Sequence, residues 1–251
     1  MELQDFFAAH PVAALAFSGG VDSSYLLYEG LKWAERLGIY YVKSAFQPAF
    51  ELSDALRLAE SLGASVTVLE VDVLACPEVA ANPPDRCYYC KQRIMSTIKT
   101  AAARDGYPVI LDGTNASDDV GDRPGWRALG EYGVLSPLRL CGLTKEEIRE
   151  RSRQAGLFTW DKPAYACLAT RVKTGERITA GTLRAVEAGE DALFRLGFTD
   201  FRVRTHEGRA RLEFTAEQLP RARELLPEIR AQLTPYFTEV DPELHEREKS
   251  R

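Results

Sequence analysis

The chain begins as an alternation of two apolar patterns. A lead-in helix over 1–11 ends at Pro11. Val12 to Phe17 is an unbroken apolar run that stops at Ser18-Gly19-Gly20. A short apolar run bounded by a turn signal reads as a strand buried on both faces, the habit of parallel sheets. Beyond the glycines, Val21, Leu26, Leu27, Leu31 and Ala34 recur at helical spacing, and this helix is expected to close near Gly38. Ile39 to Phe46 reads as a second strand and Gln47 to Phe50 as a loop. Glu51 to Leu62 is an amphipathic helix with Leu52, Ala55, Leu56, Ala59 and Leu62 on one face and Gly63 at its end. A third strand follows over Ser65 to Val73, a helix from about Cys87 through Ala103, and a fourth strand at Val109-Ile110-Leu111. A short strand near Val134-Leu135 and a helix capped by Thr144, with Glu147 at the capping-box position, complete this half. Strands alternating with helices over short links imply right-handed βαβ units and a parallel sheet.

The pattern then changes. Cys76 to Pro84 reads as a loop because adjacent prolines preclude regular structure, and Trp160 to Arg171 shows no periodicity. Ala180 to Leu196 is helical, Phe201 to Thr205 and Ala210 to Phe214 alternate as a hairpin around Glu207-Gly208, and a last helix covers Ala216 to Leu233. These elements divide the chain into an α/β domain over 1–170, a small α+β domain over 171–240, and a charged tail over 241–251 that is expected to be disordered.

Composition narrows the partners. The 251 residues carry a net charge of −5, and from Arg171 onward there are 15 basic and 15 acidic residues. Neither figure suits a phosphate backbone, so no nucleic-acid partner is expected. No apolar run approaches the ~20 residues that span a bilayer. Met1 to Asp5 lacks the basic region and apolar core of a signal peptide, so a cytoplasmic location is expected. In a reducing compartment the five cysteines are thiols, metal ligands or catalytic groups.

Four groups of residues carry candidate chemistry. The strand–Gly-Gly–helix turn offers backbone donors, the hydroxyls of Ser18, Ser23 and Ser24, and the positive end of a helix, which suits phosphate. Asp112-Gly113-Thr114-Asn115 ends another strand, where ligands of open α/β sheets sit. Cys87 and Cys90 stand at metal or redox spacing, with Cys167 as a third thiol. A closed zinc site lacks ligands. Three thiolates suit a [4Fe–4S] cluster with one open iron, and equally well two plain thiols and one packed small residue. Arg202 and Arg204 fall on one face of a strand, where two guanidinium groups grip phosphate or form solvent-facing ion pairs. His10, His206 and His245 are isolated, and Cys76 and Cys141 read as structural.

Ser18-Gly19-Gly20-Val21-Asp22-Ser23 lacks the lysine of the Gly-x-x-x-x-Gly-Lys-Ser loop. It resembles the PP-loop of the ATP pyrophosphatases. Alongside it stand Arg86-Cys87-Tyr88-Tyr89-Cys90-Lys91, Asp112-Gly113-Thr114-Asn115, Arg123-Pro124-Gly125, Ser136-Pro137-Leu138, Gly142-Leu143-Thr144-Lys145 and Trp160-Asp161-Lys162-Pro163. Ala166-Cys167-Leu168-Ala169-Thr170-Arg171 and Arg202-Val203-Arg204 follow. From about Val12 to Phe214 this order resembles the LarE family of ATP-dependent sulfur transferases, which act in nickel-pincer nucleotide cofactor biosynthesis. Arg127 stands where a small or aliphatic residue is expected, and Thr170 where serine is common.

The resemblance implies a parallel-sheet PP-loop domain, adenine nucleotide alpha hydrolase-like, followed by the small α+β domain. It implies that ATP adenylylates a carboxylate of pyridinium-3,5-biscarboxylic acid mononucleotide, releasing pyrophosphate, and that sulfur then yields the thiocarboxylate. Ala16, Ser18, Gly19, Gly20, Asp22, Ser23, Ser24, Lys91 and Gly113 would hold ATP and Mg²⁺. Arg202, Arg204 and Glu190 would hold the mononucleotide. Cys87, Cys90 and Cys167 would ligate a [4Fe–4S] cluster, with Asp22 and Cys167 as the catalytic pair. Sulfide or another sulfur donor and further copies of the chain in a homo-oligomer are the remaining expected partners. Two alternatives stand beside this one: a PP-loop tRNA thiolase, and a family member that sacrifices the sulfur of Cys167 in a single turnover. A non-catalytic iron–sulfur or zinc carrier is a third, and the intact PP-loop string speaks against it.

Overall fold

A computed structural model describes residues 1–119, 121 and 124–247. The chain forms two compact units. The first comprises Met1–Val73 and Asp85–Lys162; the second comprises Leu74–Pro84 and the chain from Pro163 onward.

The first unit runs α1 (Leu3–Ala9), β1 (Val12–Ala16), α2 (Val21–Trp33), β2 (Arg36–Lys43), α3 (Ala49–Ser61), β3 (Thr67–Glu70), α4 (Arg86–Arg104), β4 (Ile110–Leu111), α5 (Pro124–Glu131) and α6 (Lys145–Gln154). Its strands pair in the order β3-β2-β1-β4, all parallel. The apolar runs earn their burial because both faces are covered. On β2, Ile39 and Tyr41 pack with Phe7, Leu27 and Leu58, while Tyr40 and Val42 pack with Met95, Ile98 and Leu129. Helix α2 ends earlier than Gly38, and β2 already starts at Arg36, hydrogen-bonded by its amide to Pro11 O at 3.0 Å. Val134-Leu135 contributes a single bridge, Leu111 to Leu135, rather than a strand. The Thr144 cap forms as expected, its hydroxyl accepting from Glu147 N and the Glu147 carboxylate accepting from Thr144 N.

The second unit holds α7 (Ala180–Arg195), β5 (Phe201–His206), β6 (Arg209–Phe214), α8 (Leu219–Glu224), α9 (Leu226–Leu233) and β7 (Glu239–Glu246). Its sheet order is β5-β6-β7, with an antiparallel hairpin and a parallel third strand. The hairpin turns on Glu207 and Gly208, both at positive φ (49° and 78°), the signature of a two-residue primed turn.

Three expectations are corrected here. The tail is a strand as far as Glu246: Leu244 pairs with Leu212 and Glu246 with Phe214, so its charges alternate along a paired edge. The helix expected over Ala216 to Leu233 breaks at Leu225, because Pro227 cannot continue the preceding turn. The division falls at Lys162/Pro163, not at residue 170, and the Pro-rich loop joins the second unit. Asn82, at φ 57°, explains the last point. Its side-chain amide donates to Lys173 O (2.9 Å), its carbonyl accepts from Gly175 N (2.8 Å), and Ile178 N donates to Ala80 O (2.8 Å). A helical turn, Pro77–Ala80, lies within that loop.

Candidate functional site

The end of β1 and the end of β4 are adjacent in the sheet, and the chain leaves them in opposite directions, which opens a crevice at their carboxyl edge. A cleft of about 210 Å³ occupies it. Ala16, Ser18, Gly20, Asp22, Ser23, Lys91 and Gly113 line it, together with Met95, Asp112, Thr114 and Asp118. Seven of the nine residues expected to hold a nucleotide therefore converge. Gly19 shapes the turn from behind: its φ is +74°, and a Cβ there would come within 2.7 Å of Ala55 Cβ. Ser24 is corrected. It follows Val21 by three on the inner face of α2, is fully buried, and does not line the cleft.

The turn is tied by its own hydroxyls. Ser18 N donates to Ser23 Oγ (3.3 Å), the two hydroxyls lie 3.0 Å apart, and Ser23 Oγ donates to Gly20 O (3.2 Å). The first intrahelical bond of α2 is Ser24 N to Gly20 O, so the amides ahead of it are unused by the helix. Gly113 presses against this helix end; a Cβ would sit 2.9 Å from Ser23 N. A backbone pair this close, beside a helix N-terminus, is a cradle that fits phosphate.

Asp22 is the charged centre of the cleft. Asn115 Nδ2 donates to its Oδ1 at 3.3 Å and Lys145 Nζ to its Oδ2 at 2.6 Å. Burial pushes its carboxyl above the ordinary range; Lys145 pulls it back and Asp118 raises it further. Asp112 is committed internally, accepting from Ser136 Oγ and Thr114 Oγ1, each at 2.6 Å. The oxygen donors Asp22 and Asp118 form the kind of hard-ligand set that Mg²⁺ takes. Lys145 and Asp118 were not singled out from the sequence. The signals were Lys145's place directly after a helix cap and its presence in the Gly142-Leu143-Thr144-Lys145 motif, to which no role was attached.

Cys87 and Cys90 occupy the first turn of α4, one exposed and the other half-buried. Spaced i, i+3, they share a helical face, which suits two ligands of one group. Arg86 Nη2 lies 3.7 Å from Cys87 Sγ. Tyr88 OH donates to the Glu131 carboxylate (3.0 Å), and the unexpected Arg127 stacks on the Tyr88 ring at 3.6 Å, so α5 braces this turn. Arg123 of the neighbouring motif lies outside the described residues. Among the described residues no group of three or more His, Cys, Asp or Glu side chains is preassembled for a metal, and Cys167 belongs to the other unit.

In the second unit Cys167 precedes the 3₁₀ turn Leu168–Arg171. Its carbonyl accepts from Thr170 N (2.9 Å) and Thr170 Oγ1 (2.8 Å). Arg171, 1% exposed, forks onto Glu190 at 2.7 and 3.2 Å and also donates to Ala166 O (3.0 Å). Tyr165 OH and Val203 N donate to the same carboxylate. Glu190 is thus sealed in a network rather than lying on a solvated helix face. Arg202 and Arg204 part company. Arg202 is buried, donating to Phe201 O (2.6 Å) and Ala164 O (3.2 Å); burial, with Arg171 and Arg247, brings its guanidinium down to about 10. Arg204 is exposed, pairs with Glu213 at 2.7 Å, and lines a cavity of about 630 Å³ with Lys173, His206, Arg209 and Arg211. His206 is not isolated: its Nδ1 lies 3.0 Å from Glu176 Oε2 and its Nε2 3.1 Å from Lys173 Nζ.

A parallel sheet that carries Ser-Gly-Gly-Val-Asp-Ser at the end of an inner strand defines an α/β domain of the PP-loop class. No family model matches the chain. It is 35% identical to the pyridinium-3,5-bisthiocarboxylic acid mononucleotide synthase of Lactiplantibacillus plantarum, over 83% of this chain and 75% of that one. It is 37% identical to an uncharacterized protein of Synechocystis, over 86% and 81%. An uncharacterized protein of Methanocaldococcus jannaschii is 29% identical over 79% and 76%. The chain belongs to the LarE family.

Proposed function

We propose that this protein is an ATP-dependent sulfurtransferase that converts a carboxylate of pyridinium-3,5-biscarboxylic acid mononucleotide into a thiocarboxylate for nickel-pincer nucleotide cofactor biosynthesis. The observation that carries this reading is the cleft at the β1/β4 edge, where the PP-loop, Gly113 and Lys91 meet. The relative of that name supports the substrate class. A carboxylate is a poor electrophile. Its attack on the α-phosphorus of ATP expels pyrophosphate and leaves an acyl-adenylate, whose AMP a sulfur nucleophile displaces. The turn amides and Ser18 and Ser23 hold the phosphates, Lys91 neutralises them, and Asp22 with Asp118 would hold Mg²⁺, which screens charge. In the second unit, Arg204 is the exposed cation that grips the mononucleotide phosphate, while Arg202 and Glu190 shape the fold around it. Cys87, Cys90 and Cys167 would ligate a [4Fe–4S] cluster, which would supply the sulfide when bound. Ligation of this kind would leave the sulfur of Cys167 on the chain between turnovers.

Two measurements test this. Purified protein given ATP, Mg²⁺ and the mononucleotide should release pyrophosphate, and Asp22→Ala should abolish release while keeping its circular dichroism. Release independent of the mononucleotide would refute the substrate. Anaerobic reconstitution with iron and sulfide should give iron–thiolate absorbance that Cys87→Ala, Cys90→Ala and Cys167→Ala each lose, and that Cys76→Ala and Cys141→Ala keep. A wild type that stops after one turnover with the mass loss of H₂S would establish sacrifice of Cys167 instead.

A further inference from the structure

Both carboxylate oxygens of Asp22 are engaged, and the stronger bond comes from a residue 123 positions away, Lys145. That reach is built. Lys145 N donates to Ser117 Oγ (3.0 Å) and Ala116 N donates to Leu143 O (2.8 Å), sewing the segment after β4 to the start of α6. The Thr144–Glu147 box then fixes the first turn of α6. The pair is nevertheless open to water, with the Lys145 side chain 29% and the Asp22 side chain 21% exposed. An ion pair in contact with solvent exchanges partners at little cost.

The cleft's charge gives that exchange a purpose. Among the described residues, Asp22, Asp112 and Asp118 line it against one lining cation, Lys91. A polyphosphate entering there meets carboxylates and needs further positive charge. Lys145 already reaches the wall through Asp22, its compact ammonium on a flexible four-carbon stem. We propose that Lys145 is a phosphate ligand of the nucleotide, parked on Asp22 and transferred to the β- or γ-phosphate on binding, which frees Asp22 for the accompanying cation. This rests on the cleft being the ATP site. It adds a residue from α6 to a site otherwise built from the turn, α4 and the end of β4.

The test is calorimetric binding of ATP and of AMP, each with Mg²⁺, to wild type, Lys145→Met and Lys145→Arg. Loss of a charge-assisted bond to the outer phosphates should weaken ATP binding to Lys145→Met by roughly ten- to a hundredfold. AMP binding should be unchanged, and Lys145→Arg should recover most of the ATP affinity. Unchanged ATP affinity in Lys145→Met, or an equal loss for ATP and AMP, would overturn the proposal while leaving the site assignment standing. A wild type that binds neither nucleotide would overturn the site assignment itself.

Discussion

Each unit contains a carboxylate joined to a cation, and the two pairs differ in access to water. Asp22–Lys145 is 21% and 29% exposed; Glu190–Arg171 is 2% and 1% exposed. Water competes for the first pair, so its partners can be exchanged for a ligand. The second is sealed, and its carboxylate also accepts from Tyr165 OH and Val203 N. Because Arg171 further holds Ala166 O and Thr170 Oγ1, the sealed pair sets the course of the Cys167 loop. The same chemistry thus serves ligand exchange in one unit and loop positioning in the other.

The largest expected effect follows from the sealed pair. Glu190→Ala leaves the Arg171 guanidinium buried without its counter-ion, and removing one partner of a buried pair costs about 3–5 kcal/mol. Denaturant unfolding should show that loss. A destabilisation under about 1 kcal/mol would mean that water or another acceptor reaches Arg171, and the contrast between the pairs would collapse.

Next comes the turn itself. Gly19→Ala forces a Cβ to 2.7 Å from Ala55 Cβ at φ +74°. Overpacking of this kind costs about 1–3 kcal/mol, and the left-handed backbone adds about 1–2 kcal/mol. The turn relieves both by shifting, so pyrophosphate release should fall along with stability. Normal release from a variant of unchanged stability would show that the turn tolerates a side chain and that Gly19 has no shaping role.

Much of this was legible in the sequence, and the reasons are physical. Parallel strands buried on both faces announce themselves as apolar runs, and Ser18-Gly19-Gly20 sits at the end of the first, so the sheet and most of the cleft could be read directly. The Thr144 box was equally readable because capping is local. Lys145 was not, since its partner lies across the fold and nothing in i, i+4 spacing reports it. The burial of Glu190 was hidden for a related reason. Alternation and helical periodicity give a residue's face, but a carboxylate sealed by an arginine from another element looks like any solvated glutamate. The charge of the tail predicts disorder, whereas Val240, Leu244 and Glu246 pair with β6 as a strand.

The smallest stability effect belongs to an exposed pair in the second unit, and it separates two neighbouring arginines. Arg202 and Arg204 share a face of β5 by sequence, yet one side chain is 8% and the other 45% exposed. Arg204 pairs with Glu213 at 2.7 Å and donates to Thr170 O at 2.8 Å, both within reach of solvent. An exposed pair contributes roughly 0–1 kcal/mol, so Arg204→Ala should unfold almost as wild type does. If its guanidinium grips the mononucleotide phosphate, the same variant should bind that substrate about tenfold more weakly, while ATP affinity stays constant. Arg202→Ala should show the reverse ranking, because it removes a buried bond to Phe201 O, a second bond to Ala164 O and a side chain packed over Tyr165. Denaturant midpoints and substrate affinities for both variants decide the matter. If Arg204→Ala is the less stable of the two, or leaves mononucleotide binding unchanged, exposure does not distinguish the ligand-gripping arginine from the structural one in this unit.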